Sequence, residues 1–270
     1  MLHLSRRSLN VDQFRGFTFL TAGLLLLHFF ATSPASAAAD TTHANASPMP
    51  LAQVVNHLIA RNEARSRALK SYEGTRVYTV HYHGFPKDLD ARMVVSMQYD
   101  APNTKEFKVV SQSGSKLLVN EVLKRLLKTE TEAQQKSTRD EVNLDRKNYK
   151  FSDLKYVPAA DGCSYILSVE PTKPNKYLYR GTIRVNDQDF AVCSIQAEPA
   201  KNPSFWITST IINEAYKKFG EFWLPAQNKS VSKMRFGGTA TLTIEYQNYK
   251  IQGQPLTASE SAPSSRSGVQ

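Results

Sequence analysis

The sequence predicts an α+β fold: a strongly curved antiparallel sheet, an unclosed β-barrel of roughly nine or ten strands, covered on its concave side by amphipathic helices. Two hairpins and one helical stripe carry this expectation. Residues 177–185 alternate, with Tyr177, Tyr179, Ile183 and Val185 on one face and Leu178, Arg180, Thr182 and Arg184 on the other, the period of two that a half-buried strand requires. Asn186-Asp187 follows, a pair that tolerates positive φ and suits a tight turn, and 190–195 supplies the returning strand. The second hairpin runs 231–236, then Gly237-Gly238, then Ala240, Leu242, Ile244 and Tyr246 alternating with Thr239, Thr241, Thr243 and Glu245.

Taken in order, Leu51, Val54, Val55, Leu58, Ile59, Leu69 and Tyr72 recur at three and four residues, so 51–72 is expected to be a helix that Gly74 ends. Three strands follow: 76–82 with Tyr78, Val80 and Tyr82 on one side, 92–99 with Met93, Val95, Met97 and Tyr99, and 106–111. Ser113-Gly114-Ser115 is a polar lead-in to a second helix whose stripe is Leu118, Val119, Val122, Leu123, Leu126 and Leu127. The wholly polar stretch 128–143 is expected to fray or stand out as an exposed extension. Residues 149–157 return to strand composition, and 204–217 and 221–227 add strands carrying Trp206, Ile211, Phe222 and Trp223. Two helices with single apolar stripes are the natural cover for a bent sheet, and such a roof leaves an apolar hollow.

Composition places the chain among globular proteins: 41% hydrophobic residues suffice for a core, and 12 Gly and 13 Pro exclude a fibrous repeat. The N-terminus carries Arg6, Arg7 and Arg15, an apolar run over 17–31, and Ala35-Ser36-Ala37, the layout of a cleavable secretory signal. A spanning helix needs roughly 20 apolar residues, more than this run supplies. The expected divisions are therefore a signal peptide over 1–37, a flexible leader over 38–49, a β domain with helical lid over 50–252, and a Ser-rich tail over 253–270 that cannot order itself. Residues 1–37 hold three arginines and one aspartate, so cleavage leaves +8 of the formal +10. That charge favours anionic surfaces or simply solubility, and nucleic acid is a poor partner for an exported protein.

Cys163 and Cys193 are the only cysteines, and an oxidising compartment would let them pair. Counting register through the turns places them two strands apart, roughly 10 Å, which leans against a bond.

The order of elements, with Tyr165-Ile166-Leu167, Tyr179-Arg180-Gly181-Thr182-Ile183-Arg184-Val185, Tyr216-Lys217-Lys218-Phe219-Gly220, Phe222-Trp223-Leu224-Pro225 and Ile244-Glu245-Tyr246-Gln247-Asn248-Tyr249, resembles the LolA/LolB-like superfamily of bacterial outer-membrane lipoprotein-sorting proteins over about residues 50–251. The resemblance implies an unclosed barrel with a helical lid, a periplasmic location, and binding of lipoprotein acyl chains without chemistry. The long 128–143 stretch and the Ser-rich tail depart from that pattern. Members of the fold also act as envelope-stress sensors, which gives the alternative reading.

No catalytic constellation emerges. His81-x-His83 puts two imidazoles on one strand face with Asp88 and Asp90 beyond the turn, a start toward a zinc site that lacks a third ligand, and a metal-dependent hydrolase built on this pair is the reading from another class. The carboxylates are scattered: Asp187 and Asp189 flank a hairpin tip, and Glu214 and Glu221 are expected on the polar side of strands. Gly237-Gly238 joins strands and opens no phosphate-binding helix. The expectation is a monomeric, non-enzymatic periplasmic protein without cofactor or metal, sequestering lipoprotein acyl chains or lipids and touching a membrane or acceptor protein transiently. Its cavity wall would be Tyr177, Tyr179, Ile183, Trp206, Trp223, Phe236 and Tyr246, though large aromatics also fill β-cores with no ligand present.

Overall fold

The computed structural model describes residues 49–102, 104–133, 141–202 and 204–254. The signal peptide, nearly all of the leader, the tail beyond 254 and the middle of the 128–143 stretch lie outside them.

Ten strands form one antiparallel sheet. They are β1 (Leu69–His83), β2 (Leu89–Asp100), β3 (Thr104–Gly114), β4 (Tyr149–Tyr156), β5 (Tyr165–Pro171), β6 (Tyr179–Val185), β7 (Val192–Pro199), β8 (Ile207–Phe219), β9 (Phe222–Met234) and β10 (Thr239–Gly253). Their order is β3-β2-β1-β10-β9-β8-β7-β6-β5-β4, so the chain makes two meanders that join where β10 returns to pair with β1. β3 and β4 are the unpaired edges, and the barrel stays open.

Cross-strand partners share a face, and the register traces one row across eight strands: Leu167, Ile183, Ile195, Glu214, Asn228, Ile244, Tyr78 and Met93. Both helices pack on this face. α1 (Leu51–Ala68) buries Val54 and Leu58 with Leu167, Ile183 and Ile195 at the β4–β7 end. The second helix, α-helical over Lys116–Leu118, π-helical over Val119–Leu123 and α-helical again over Lys124–Ala133, buries its whole predicted stripe against Tyr78, Val80, Met93, Leu242 and Ile244. Its N-terminus is capped by Ser115, whose hydroxyl accepts from the Leu118 amide at 3.5 Å.

Three local expectations change. α1 stops at Ala68, and Leu69 begins β1 with no loop between them. Leu69 and Tyr72 continue the helical spacing but belong to the strand, because β1 pairs with β10 and β2 along nearly its full length and that pairing outweighs the local pattern. Gly74 therefore lies inside a strand, where a Cβ would sit 3.3 Å from the Tyr249 ring. The two strands expected over 221–227 and 231–236 are one strand, β9, from Phe222 to Met234, with Pro225 opposite Tyr216 beside a bulge, a position at which the missing amide is tolerated. The polar segment after 128 is helical to Ala133, and Glu130 in it is buried.

Cys163 and Cys193 form a disulfide, with Cα atoms 6.1 Å apart. The expectation against it fails for a definite reason. Tyr165 pairs with Val185, the last residue of β6, so Cys163 lies beyond the end of that strand. Ser194 pairs with Arg184, so Cys193 lies at the same end of the hairpin, beside a bulge between Arg184 and Val185, and the two cysteines come within bonding reach. The Arg184 guanidinium donates to the Cys163 carbonyl at 2.7 Å and fixes that crossing.

Beside the disulfide, α1 is tied down by polar contacts. Buried Arg65 donates to the Asp189 carbonyl oxygen, and the Asp189 carboxylate accepts from Trp223 Nε1 at 2.9 Å and pairs with Lys218 at 2.7 Å. His57 stacks on Phe190, 4.6 Å between ring centroids.

Candidate functional site

The covered face is apolar at both ends and polar in the middle. β8 turns Thr210 and Glu214 inward and β9 turns Asn228, Ser230 and Ser232 inward, all buried. Thr210 and Ser232 share a hydrogen bond of 2.8 Å. Glu214 is 6% exposed and does not lie on the polar outer side of its strand as its sequence context suggests. The bulges at Ile207/Ser209 and Ala215/Tyr216 set the phase of β8 and carry this carboxyl inside.

Next to this stretch stands a buried ionic triad. Arg76 on β1 forks onto Glu130 of the second helix, Nη1 to Oε2 at 2.5 Å and Nη2 to Oε1 at 2.9 Å, and Lys105 of β3 reaches the same carboxylate at 2.6 Å. All three are buried. Arg76 also lies over the rings of Tyr246 and Phe107, at 4.8 and 5.1 Å from the centroids, and donates to the Tyr78 hydroxyl at 3.2 Å. Burial works against the Glu130 charge, but Arg76 and Lys105 outweigh it and hold the carboxyl down to about 2. Burial likewise opposes the Arg76 charge, and Glu130 more than offsets it, so its pKa rises.

Glu214 has the opposite fate. Burial pushes its carboxyl up to about 8; the Tyr216 hydroxyl, which donates to it, opposes this, Glu130 adds to it, and Arg76 and Asn228 oppose it more weakly. At neutral pH Glu214 is an uncharged acid inside the sheet. Tyr179, Tyr216 and Tyr246 surround it, and burial holds each phenol well above its ordinary value, although Tyr179 and Tyr216 keep part of their surface open. Four polar atoms here are buried without a hydrogen-bond partner: Glu214 Oε1, Ser230 Oγ, Tyr246 Oη and Arg76 Nε. Unsatisfied buried polar atoms cost about 1–3 kcal/mol each and call for an explanation.

The seven residues expected to line a cavity are dispersed. Ile183 and Tyr246 are buried on the covered face. Tyr179 is half-buried, its ring 5.4 Å from that of Tyr149. Tyr177 precedes β6, with Lys176 over its ring at 4.7 Å. Trp223 packs on the disulfide. Trp206 precedes β8 and touches Phe236, which is 63% exposed on the β9–β10 turn. A turn residue carried past the last strand pair has nothing to pack under, which removes Phe236 from the interior. Glu214, Arg76, Lys105 and Glu130 went unnoticed as site residues because they are far apart in sequence and each looks like a solvated charge.

His81 and His83 are exposed, and each pairs with an aspartate across the β1–β2 hairpin: His81 Nδ1 to Asp90 Oδ1 at 2.5 Å, His83 Nδ1 to Asp88 Oδ2 at 2.8 Å. No group of three or more metal-binding side chains occurs among the described residues.

No protein-family model matches the chain, and no curated protein does. Solved structures do. The chain is similar to LolA-type folds. A LolA superfamily protein from Nitrosomonas europaea shares 11% identity over 76% of this chain and 98% of its own, with a TM-score of 0.33. A domain assigned to outer membrane lipoprotein sorting from Vibrio parahaemolyticus shares 10% over 77% and 97%, also at 0.33. A DUF1329 family protein from Desulfovibrio piger shares 11% over 75% and 93%, at 0.38.

Proposed function

We propose that the protein is a periplasmic lipid-binding protein of the lipoprotein-sorting type, which holds an acyl chain between the sheet and its helices and performs no chemistry on it. The observation that carries this reading is the placement of two separate apolar clusters on one sheet face, each under its own helix, with half-buried Tyr179 and Tyr216 at the border of the one under α1. A sheet face packed by one continuous core would leave no such break. An acyl chain laid there gains about 0.8 kcal/mol per buried methylene, so release needs a membrane or acceptor that is equally dry. The disulfide suits export, since structural disulfides persist in oxidising compartments.

The test is native mass spectrometry of protein purified from its own host, followed by titration of the delipidated protein with a fluorescent fatty-acyl probe. Co-purified lipid, or saturable probe binding displaced by acyl chains, is the expected result. Protein that carries no lipid and takes up no probe is not a lipid binder.

A further inference from the structure

The polar middle of the covered face has a charge and hydrogen-bond balance that a purely apolar ligand leaves unmet. Arg76, Lys105 and Glu130 together bear one excess positive charge, buried. The titratable groups facing it are Tyr78 on β1, Glu214 on β8, and Tyr246 and Tyr249 on β10, with Tyr179, Tyr216 and Asn228 beyond Glu214, and burial favours the neutral form of each carboxyl and phenol among them. An unbalanced buried charge is costly unless something pairs with it. The unpartnered atoms point the same way. Arg76 Nε, Tyr246 Oη and Ser230 Oγ all carry hydrogens to donate, and the neutral Glu214 acid adds another. Each can therefore donate to an acceptor placed where positive charge is in excess, and Arg76 Nε can do nothing else.

We propose that this polar stretch receives the anionic head group of a long-chain amphiphile, whose oxygens accept from Tyr246 and Glu214 beside Arg76 while its tail lies against the flanking apolar clusters. The proposal rests on the acyl-binding reading above and names the head group that reading leaves open. A carboxylate and a phosphate share the required chemistry: negative charge and more than one acceptor oxygen. Ionisation of Glu214 would bring a second carboxylate beside Arg76, balance the positive charge internally and expel the guest.

The experiment compares laurate, lauroyl lysophosphatidylglycerol and the neutral glycerol monoester of laurate, titrated calorimetrically into the delipidated full-length mature protein between pH 7 and pH 9. The expected result is that at least one anionic ligand binds about tenfold tighter than the neutral ester at pH 7 and loses that advantage by pH 9; which anion does so separates a free fatty acid from a phospholipid source. Tyr246→Phe should shrink the preference for the anion, and Glu214→Gln should flatten its pH profile whatever the absolute affinity. Circular dichroism of each variant checks that it folds, and the wild-type comparison stands without them. Equal affinity for anionic and neutral ligands, or a preference that is the same at pH 7 and pH 9, overturns the head-group assignment and leaves acyl binding intact. Binding of none of the three overturns the acyl-binding reading itself.

Discussion

Glu214→Gln should make the protein more stable at alkaline pH, and the size of the effect follows from the environment of one carboxyl. In the fold Glu214 keeps its proton up to about 8, against 4.5 for an ordinary glutamate. Between those values the folded state binds more protons than the unfolded one, so stability falls as pH rises. The stabilisation is complete below 4.5 and is lost as pH passes through about 8. At about 1.4 kcal/mol per pH unit the window is worth about 5 kcal/mol. Glutamine cannot ionise, yet its amide can still accept from Tyr216. Urea denaturation at pH 4, 6, 8 and 9 measures the difference: the two proteins should be close at pH 4, diverge in favour of the variant above about 4.5, and keep a constant gap above about 8. Other groups titrating in the window cancel in the comparison. Parallel stability curves for the two proteins would refute the burial of a neutral acid on β8.

Glu130→Gln should cost about 3–5 kcal/mol in chemical denaturation near neutral pH, because it strands Arg76 and Lys105 inside without a counter-charge. In the wild type that contribution, present above 4.5, should fade as pH drops through about 2, a loss the variant lacks. Reducing the Cys163–Cys193 bond, which spans a sequence separation of 30, should cost about 3–4 kcal/mol, read as a fall in the denaturation midpoint with dithiothreitol. Gly181→Ala should destabilise by more than about 2 kcal/mol, since φ is +153° and the new Cβ would meet the Gln196 carbonyl oxygen at 2.2 Å; a thermal melt unchanged by this substitution would contradict the β6–β7 register. Leu58→Ala should cost about 2–5 kcal/mol by leaving a cavity under α1.

The sheet was legible wherever alternation and turn chemistry agreed. Asn186 and the Gly237-Gly238 pair mark the two hairpins, and the stripe from Leu118 to Leu127 is buried in full. The inner side of β8 and β9 was not legible, because there the usual rule inverts: Ser230 and Ser232 are buried while Val231 is only half-buried and Ile211 is exposed. Bulges shift the phase by one residue, and nothing in the composition marks where a bulge falls. The Arg76–Glu130–Lys105 triad was hidden for a different reason. Its members are 25 to 54 residues apart, and only the folding of the second helix over β1 and β3 brings them together. The two cysteines were misplaced because turn lengths set the register and the sequence does not fix them: Cys163 lies past the Tyr165–Val185 pair and Cys193 beside the Ser194–Arg184 pair.

The passage from Ala68 to Leu69 converts helix directly into strand. With no slack at that joint and Arg65 anchored to the Asp189 turn, α1 is a fixed post on which the first strand is hung. Any widening of the interior then falls to the second helix, and among the described residues Glu130 is its buried ionic rivet to the sheet. A protein that must admit a guest would thus hinge on one side only, and the guest's own charge would compete for Arg76 and Lys105, the partners that hold that side shut.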